Sequence, residues 1–552
     1  MGMHRAKPED MKPINTSIYD FPTLVQTYVY VDKTAQIYEL AKPGADILYY
    51  LPRPRRFGKS LLLSTLRALF EGRRALFRGL AIERTDWDWE REVYPVLHLD
   101  MSKVSSKSAA ELDVALNDFV RGHAERFGAR FDSGLPAQSN FSNLLAHVQK
   151  TSPNGKYVML IDEYDAPISG LLDSAVDRRE LPLARKTLHD FYVQAKAECG
   201  SMRFLLVTGV SKFAKTSIFS AFNNPKDLTF DRRAADLLGY THEEMETYFH
   251  AHIQAFADTR GETYAQSFAD LLGWYDGYQF SPDRPVKIVN PVSLGNALVN
   301  CQLRNYWEAT AGSTLIFDAL KAKHAMPQDI EVDVNLKRLD APDALTAPLV
   351  ALLFQGGYLT LDARIDDQRV TLRIPNREVA DSLYDGYIAQ VFGTDFEIDD
   401  FEDDAEKMAH VLAAEGIGEK FSVFLKSGFS RLPHDWVARD EKEAKRAFAA
   451  FMAFTHARLY GEAQQATGRP DAVLETKKGI YVFEFKYGKS AKIALEQCRA
   501  RNYAAAFMED ARPVYYVGVN YNPAEGVRTV DAVLCEPAHV PNVGEYGNHH
   551  AE

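Results

Sequence analysis

Short apolar runs recur through the first 210 residues, and each is followed by a stretch of helical periodicity. "DILYYL" (Asp46–Leu51) is followed by "SLLLSTLRALFEG" (Ser60–Gly72), which reads as a helix closed by glycine. "YPVLHLD" (Tyr94–Asp100), "YVMLID" (Tyr157–Asp162) and "RFLLVTG" (Arg203–Gly209) are further buried-strand segments. Strands spaced by helices predict an α/β fold whose parallel sheet is covered on both faces. From Thr241 to about Lys323 the pattern turns helical and aromatic, as in "LLGWYDGYQF". Leu349 to Pro375 predicts a helix, a glycine turn and a β-hairpin, the outline of a winged-helix unit. The acidic stretch Phe396–Lys407 reads as a solvated linker or helix start, and helices follow it. "GRPDAVLETKKGIYVFEFKYG" (Gly468–Gly488) then predicts two short strands joined by a turn. No internal repeat is visible.

A chain of 552 residues exceeds one hydrophobic core, so several domains are expected. Hydrophobic residues at 46% and charged residues at 25% place it among ordinary globular proteins. The net charge of −12 supplies no global basic field, so any contact with nucleic acid must come from a local patch. Four widely spaced cysteines without CxxC spacing argue against structural zinc and for a reducing compartment. The N-terminal "MGMHRAKPEDMK" has no apolar core, and the longest apolar run, about Ala347 to Phe354, falls far short of the ~20 residues that span a bilayer. A cytoplasmic protein without membrane contact is the expectation.

The chemistry begins at "LPRPRRFGKS" (Leu51–Ser60), where Gly58, Lys59 and Ser60 match the end of a phosphate-binding loop. Backbone N–H groups of such a loop wrap a phosphate, the lysine neutralises charge, and the hydroxyl holds magnesium. Arg53 stands where the general pattern has its first glycine, a position where a positive φ would suit arginine poorly. "VMLIDEYD" supplies Asp162, placed to hold the magnesium, and Glu163, placed to polarise an attacking water. Their alternative is a pair of carboxylates facing solvent at a strand end. Thr208, at the end of another strand, could sense a terminal phosphate; Ser211 and Lys212 just beyond it read as solvated loop residues.

A second set lies near the C-terminus. Glu484 and Lys486, two apart on a strand, share one face, while Phe483 and Phe485 point into a core. With Asp471 on the adjacent strand, Glu484 and the main-chain carbonyl of Phe485 offer oxygen ligands to a divalent ion. Lys486 beside them can orient or help deprotonate the water that attacks a phosphodiester. Taken alone, the pattern also fits a solvated strand with alternating charges. His434, His456, His549 and His550 show no metal spacing and read as surface or cap residues, and no Ser-His-Asp arrangement is legible.

Together these segments resemble the AAA-ATPase-like proteins of bacteria, whose loop takes the form RPRRFGKS. "VYVDKT" (Val29–Thr34), "IDEYDAPI" (Ile161–Ile168), "TGVSKF" (Thr208–Phe213), "WYDGYQF" (Trp274–Phe280), "NPVSL" (Asn290–Leu294), "GGYLTL" (Gly356–Leu361) and "IPNREV" (Ile374–Val379) carry the likeness along most of the chain. The resemblance implies a P-loop ATPase domain at 1–235, a helical and winged-helix-like region at 236–395, and a PD-(D/E)XK nuclease-like domain at 396–552. ATP would contact Arg56, Phe57, Gly58, Lys59, Ser60, Leu61, Asp162 and Thr208, with Mg²⁺ on Ser60 and Asp162 and Glu163 as the base. Asp471, Glu484 and Lys486 would form the nuclease centre on Mg²⁺, or Mn²⁺ in its place. By the same resemblance Gln497 and an upstream helical glutamate would complete that centre, with Glu443 first choice and Glu441 and Glu462 its rivals. The implied activity is ATP hydrolysis coupled to cleavage of DNA or RNA, in the setting of defence or mobile-element control. Assembly into a homo-oligomer is compatible with it. The alternatives are a signalling ATPase whose C-terminal domain binds nucleic acid or a protein without cutting, and a nucleotide-binding scaffold.

Overall fold

A computed structural model describes residues 11–169, 179–210, 225–307, 316–317, 333–340, 347–392, 411–412, 416–430, 438–453, 458–461, 470–476, 478–508, 510, 512–524 and 529–539. The acidic stretch 396–407 and residues Ser211, Lys212, His434, His456, Glu462, His549 and His550 lie outside them. The chain divides into two compact units, one of Met1–Ile316 with Val332–Ala380, the other of Phe317–Glu331 with Asp381–Glu552.

The apolar runs of the first unit become β1 (Leu48–Pro52), β2 (Val96–Asp100), β3 (Tyr157–Asp162) and β4 (Met202–Gly209), joined at one edge by the short β5 (Lys226–Asp227). All pair in parallel, in the order β2-β3-β4-β1-β5. Every side chain of β3 is buried, as expected for a strand sandwiched between helical layers. The helices Ala109–Phe127, Ala137–Thr151 and Glu180–Ala197 cover one face through Leu112, Leu116, Phe141, Leu144, Leu188 and Phe191. The helix Lys59–Phe70 covers the other, where Phe70 meets Phe204 at 5.3 Å between ring centroids.

The aromatic middle segment forms the helices His242–Arg260, Tyr264–Tyr275 and Pro291–Asn300. The first two start in capping boxes at Thr241 and Thr263, and they share a core with Val31. The expected helix, turn and hairpin are present: the helix Leu349–Gly356 ends at Gly357 in the left-handed region, and β7 (Thr360–Arg364) pairs antiparallel with β8 (Arg369–Arg373). A third strand, β6 (Asp333–Asn335), adds to the outer edge of β8.

In the second unit five strands run in the order β13-β12-β11-β10-β9, these being Thr529–His539, Val514–Asn522, Ile480–Tyr487, Ala472–Glu475 and Arg458–Gly461. β10 and β11 form the expected antiparallel pair, while β11 and β12 are parallel, joined by a crossover that contains the helix Ala491–Arg501. Strand alternation sorts β11 between two layers. Tyr481, Phe483 and Phe485 pack with the helices Glu419–Ser430 and Glu441–Ala453, whereas Ile480 and Val482 pack with Leu495 and Cys498.

Candidate functional sites

The first site forms where β1, β3 and β4 end. Because β4 lies between β1 and β3, the loop after β1 faces the carboxylates of β3 across the end of β4. Gly58 takes φ 95° as the N-cap of the helix that follows, and a side chain there would find open space, so the backbone alone requires glycine. The other left-handed residue of the loop is Arg56, at φ 69°.

Arg53 solves the problem that the sequence posed. It is not among the left-handed residues, so no glycine is needed there. Its guanidinium is buried, 2% exposed, and donates to the carbonyls of Pro52, Thr229 and Ala234 at 2.9, 3.1 and 2.9 Å and of Leu228 at 3.4 Å. It also lies 4.3 Å from the ring centroid of Phe280. Phe57 packs edge-on against Tyr278 and Phe280, and Tyr278 donates its hydroxyl hydrogen to the Gly357 carbonyl. The "WYDGYQF" segment thus clamps the loop from behind.

Lys59 is buried at the first turn of its helix. Its Nζ donates to the carbonyls of Arg53 and Pro54 at 3.1 and 3.2 Å and lies 3.5 Å from Glu163 Oε1. Asp162 is 4% exposed and accepts at Oδ1 from Thr208 Oγ1 at 2.6 Å and from the Glu163 N–H at 3.1 Å. Thr208 has no exposed surface, so its hydroxyl positions Asp162 instead of facing the loop mouth. Glu163 sits at φ 49°, a strained position for this residue type and common at functional sites. Burial raises its pKa; Lys59 opposes that, and Asp165 and Asp162 add to it. Gly209 is required by close approach: a Cβ there would fall 2.4 Å from Tyr164 and 2.6 Å from Asp165.

Ser60 and Leu61 are partly exposed beyond Lys59. Arg56, Gly58 and Leu61 border a cavity that continues between Ile18, Tyr30 and Tyr240. Lys33 of "VYVDKT" is committed elsewhere, to Glu244 at 2.6 Å and to the Asp236 carbonyl at 2.8 Å.

The second site lies at the β10–β11 pair. Asp471 immediately precedes β10; its N–H donates to the Phe483 carbonyl, and its Oδ2 accepts from the Phe485 N–H at 2.7 Å. Lys486 Nζ donates to Glu484 Oε1 at 2.8 Å and to the Phe485 carbonyl at 2.7 Å. Glu484 is 2% exposed, and its Oε2 is buried with no hydrogen-bond partner. Burial, reinforced by Asp471, pushes its carboxyl up to about 7. Burial also raises Asp471, against the pull of a lysine that sequence reasoning missed.

That residue is Lys445. From the helix Glu441–Ala453 its Nζ reaches Asp471 Oδ1 at 2.5 Å and Glu441 Oε1 at 3.4 Å. Glu443, the expected helical glutamate, instead accepts from the Arg439 N–H at 2.8 Å at the start of its own helix. Gln497 donates to the Tyr503 hydroxyl at 3.5 Å. Among the described residues no group of three or more His, Cys, Asp or Glu side chains could hold a metal. The sequence signal for Lys445 is its i+4 spacing from Glu441 on one helix face.

Two family models match the chain. The model of a predicted AAA-ATPase matches residues 15–219, and that of the PD-(D/E)XK nuclease superfamily matches 439–530. The uncharacterized protein in the vnfD 5′ region of Azotobacter chroococcum mcd 1 is 30% identical over 511 residues, spanning 90% of this chain and 93% of that protein. The chain belongs to the AAA-ATPase-like family. Its C-terminal part is a PD-(D/E)XK nuclease superfamily domain. No solved structure matches it. This family member has, among its described residues, no helix long and apolar enough to cross a membrane.

Proposed function

We propose that the first unit binds and hydrolyses ATP and that the second cleaves DNA or RNA in a metal-dependent reaction governed by the nucleotide state. The observation that carries the first half is the approach of Lys59, at the start of the helix after β1, to Glu163 beside Asp162 at the end of β3, across the end of β4. Lys59, released from the carbonyls of Arg53 and Pro54, neutralises the β- and γ-phosphates, and backbone N–H groups from Arg56 to Leu61 cradle them. The cavity beside Gly58 and Leu61 would seat the base and ribose. Ser60 and Asp162 would hold Mg²⁺, which supplies charge neutralisation on the phosphate oxygens. Glu163, with its raised pKa, accepts the proton of the attacking water.

In the second unit Asp471, Glu484 and the Phe485 carbonyl are the oxygen donors that suit a hard divalent ion, Mg²⁺ or Mn²⁺. The partnerless Glu484 Oε2 fits such a role, since a buried carboxylate oxygen otherwise lacks compensation. The ion would polarise the scissile phosphate. Lys486, released from Glu484, orients the attacking water and stabilises charge on the phosphate. The test is incubation of the purified chain with a panel of DNA and RNA substrates, with and without ATP and either ion. Metal-dependent cleavage that disappears in Glu484→Ala is expected. A second reading, nucleic-acid binding without cutting, draws on the absence, among the described residues, of three or more His, Cys, Asp or Glu side chains grouped to hold a metal. It would be favoured by retention of substrate on a gel with no cleavage under any condition.

A further inference from the structure

Apart from Glu484 Oε2, the oxygens of the second site are already engaged by the protein's own hydrogen-bond donors. Asp471 Oδ1 holds Lys445, Asp471 Oδ2 holds the Phe485 N–H, and Glu484 Oε1 and the Phe485 carbonyl both hold Lys486. Each of the two carboxylates that would hold the ion already faces an ammonium group, Lys445 on Asp471 and Lys486 on Glu484. Adding a divalent ion to it unchanged would place two extra positive charges beside two lysines in a largely desolvated pocket, which is strongly unfavourable. One ammonium must therefore leave the ligand oxygens.

The two lysines are not equally free to do so. The Lys486 side chain is 8% exposed and grows from the middle of the sheet, whereas that of Lys445 is 20% exposed and grows from a helix that borders it. Lys445 also has a second carboxylate within reach: Glu441, one helical turn earlier, 3.4 Å from Nζ and 36% exposed. A small rotation of the Lys445 side chain would exchange Asp471 for Glu441 without stranding the charge. The helix thus carries a tethered cation on Asp471 and a place to receive it.

We propose that Lys445 is an internal competitor for the metal, seated on Asp471 when the ion is absent and transferred to Glu441 when it binds. The inference rests on the metal-dependent reading of this site and adds a control to it. Glu441 then serves as the acceptor of the displaced ammonium, in place of the metal-ligand role considered for a helical glutamate. The consequence is that affinity for the ion is held below what Asp471 and Glu484 would give by themselves.

The experiment is calorimetric titration of Mn²⁺ into the full chain without nucleotide, comparing wild type with Lys445→Met, Glu441→Gln and Asp471→Asn. Lys445→Met should bind Mn²⁺ about 10-fold more tightly or better, because one adjacent positive charge is gone. Glu441→Gln leaves the Lys445–Asp471 pair intact and removes the receiving carboxylate, so it should weaken binding about threefold or more. It also keeps the test open should Lys445→Met fold poorly. Asp471→Asn should abolish the binding and so assign it to this site. If Asp471→Asn abolishes binding while Lys445→Met and Glu441→Gln both match wild type, the metal site stands and the competitor is overturned. If neither wild type nor Lys445→Met binds Mn²⁺, the metal-dependent reading falls and the competitor with it.

Discussion

Replacing Arg53 by glycine would bring the loop into line with the general phosphate-loop pattern, and the structure predicts that this would damage the protein. Position 53 is not left-handed, so glycine relieves no strain there and adds about 0.5–1 kcal/mol of backbone entropy cost. The guanidinium makes three hydrogen bonds of 3.1 Å or shorter to carbonyls that lie in the interior, and a longer fourth. Hydrogen bonds to a charged group contribute roughly 1.5–3 kcal/mol each, and the stacking on Phe280 adds up to about 2 kcal/mol when desolvated. Desolvation of the cation opposes these gains, and water entering the vacated space would satisfy part of what is lost, so we expect a net loss of about 3–5 kcal/mol. By thermal unfolding of the full chain, the transition of the first unit should fall by about 5 °C or more in Arg53→Gly. Arg53→Lys should lie between, since one ammonium keeps the charge but loses the planar fork. Because the Arg53 carbonyl also accepts from Lys59, ATP affinity measured by calorimetry should fall as well. A melting transition unchanged in Arg53→Gly would show that the buried guanidinium is dispensable and would refute the reasoning.

Two further outcomes follow from packing and charge. Gly209→Ala should destabilise the first unit by about 1–3 kcal/mol, because its Cβ would overlap Tyr164 and Asp165 and push the segment bearing Glu163 out of place; unfolding in denaturant measures it, and a neutral effect would contradict the close approach. His242 has its pKa raised chiefly by its hydrogen bond to Asp276, 2.8 Å away, so its contribution is complete below the unfolded value near 6.5 and is lost as pH rises through the higher folded value. His242→Gln should therefore cost about 0.2–1 kcal/mol in mild acid and nothing in mild alkali, read from melting curves across that range; a cost independent of pH would exclude the ion pair as its source.

The parts of the fold that were legible in the sequence are those set by local pattern. Tyr157–Asp162 was recognisable as a strand because its apolar side chains fill both faces and a turn follows at once. The β10–β11 pair was legible for the same reason, and alternation along β11 puts Glu484 and Lys486 on one face, where the structure joins them. What escaped depends on contacts distant in sequence. Arg53 looked like a misfit because its carbonyl partners at Thr229 and Ala234 and its stacking partner Phe280 are brought to it only by the tertiary fold. For Thr208, whose hydroxyl could sense a phosphate, a strand end does not disclose that a neighbouring strand's carboxylate will claim that hydroxyl. Glu443 and Lys445, two apart on a helix, point in different directions, and only the docking of that helix decides which one faces Asp471.

The central claim is that Lys59, Asp162 and Glu163 form a centre that binds ATP and turns it over. It is tested most directly by measuring ATP binding and phosphate release together, with Mg²⁺, for wild type, Glu163→Gln and Lys59→Ala. Glu163→Gln preserves the shape of the site and removes the proton acceptor, so binding should persist while turnover falls by ~10²-fold or more. Lys59→Ala should lose binding and turnover together. Turnover near that of wild type in Glu163→Gln would contradict the account, because the carboxylate that faces Lys59 across the loop would then have no part in the chemistry.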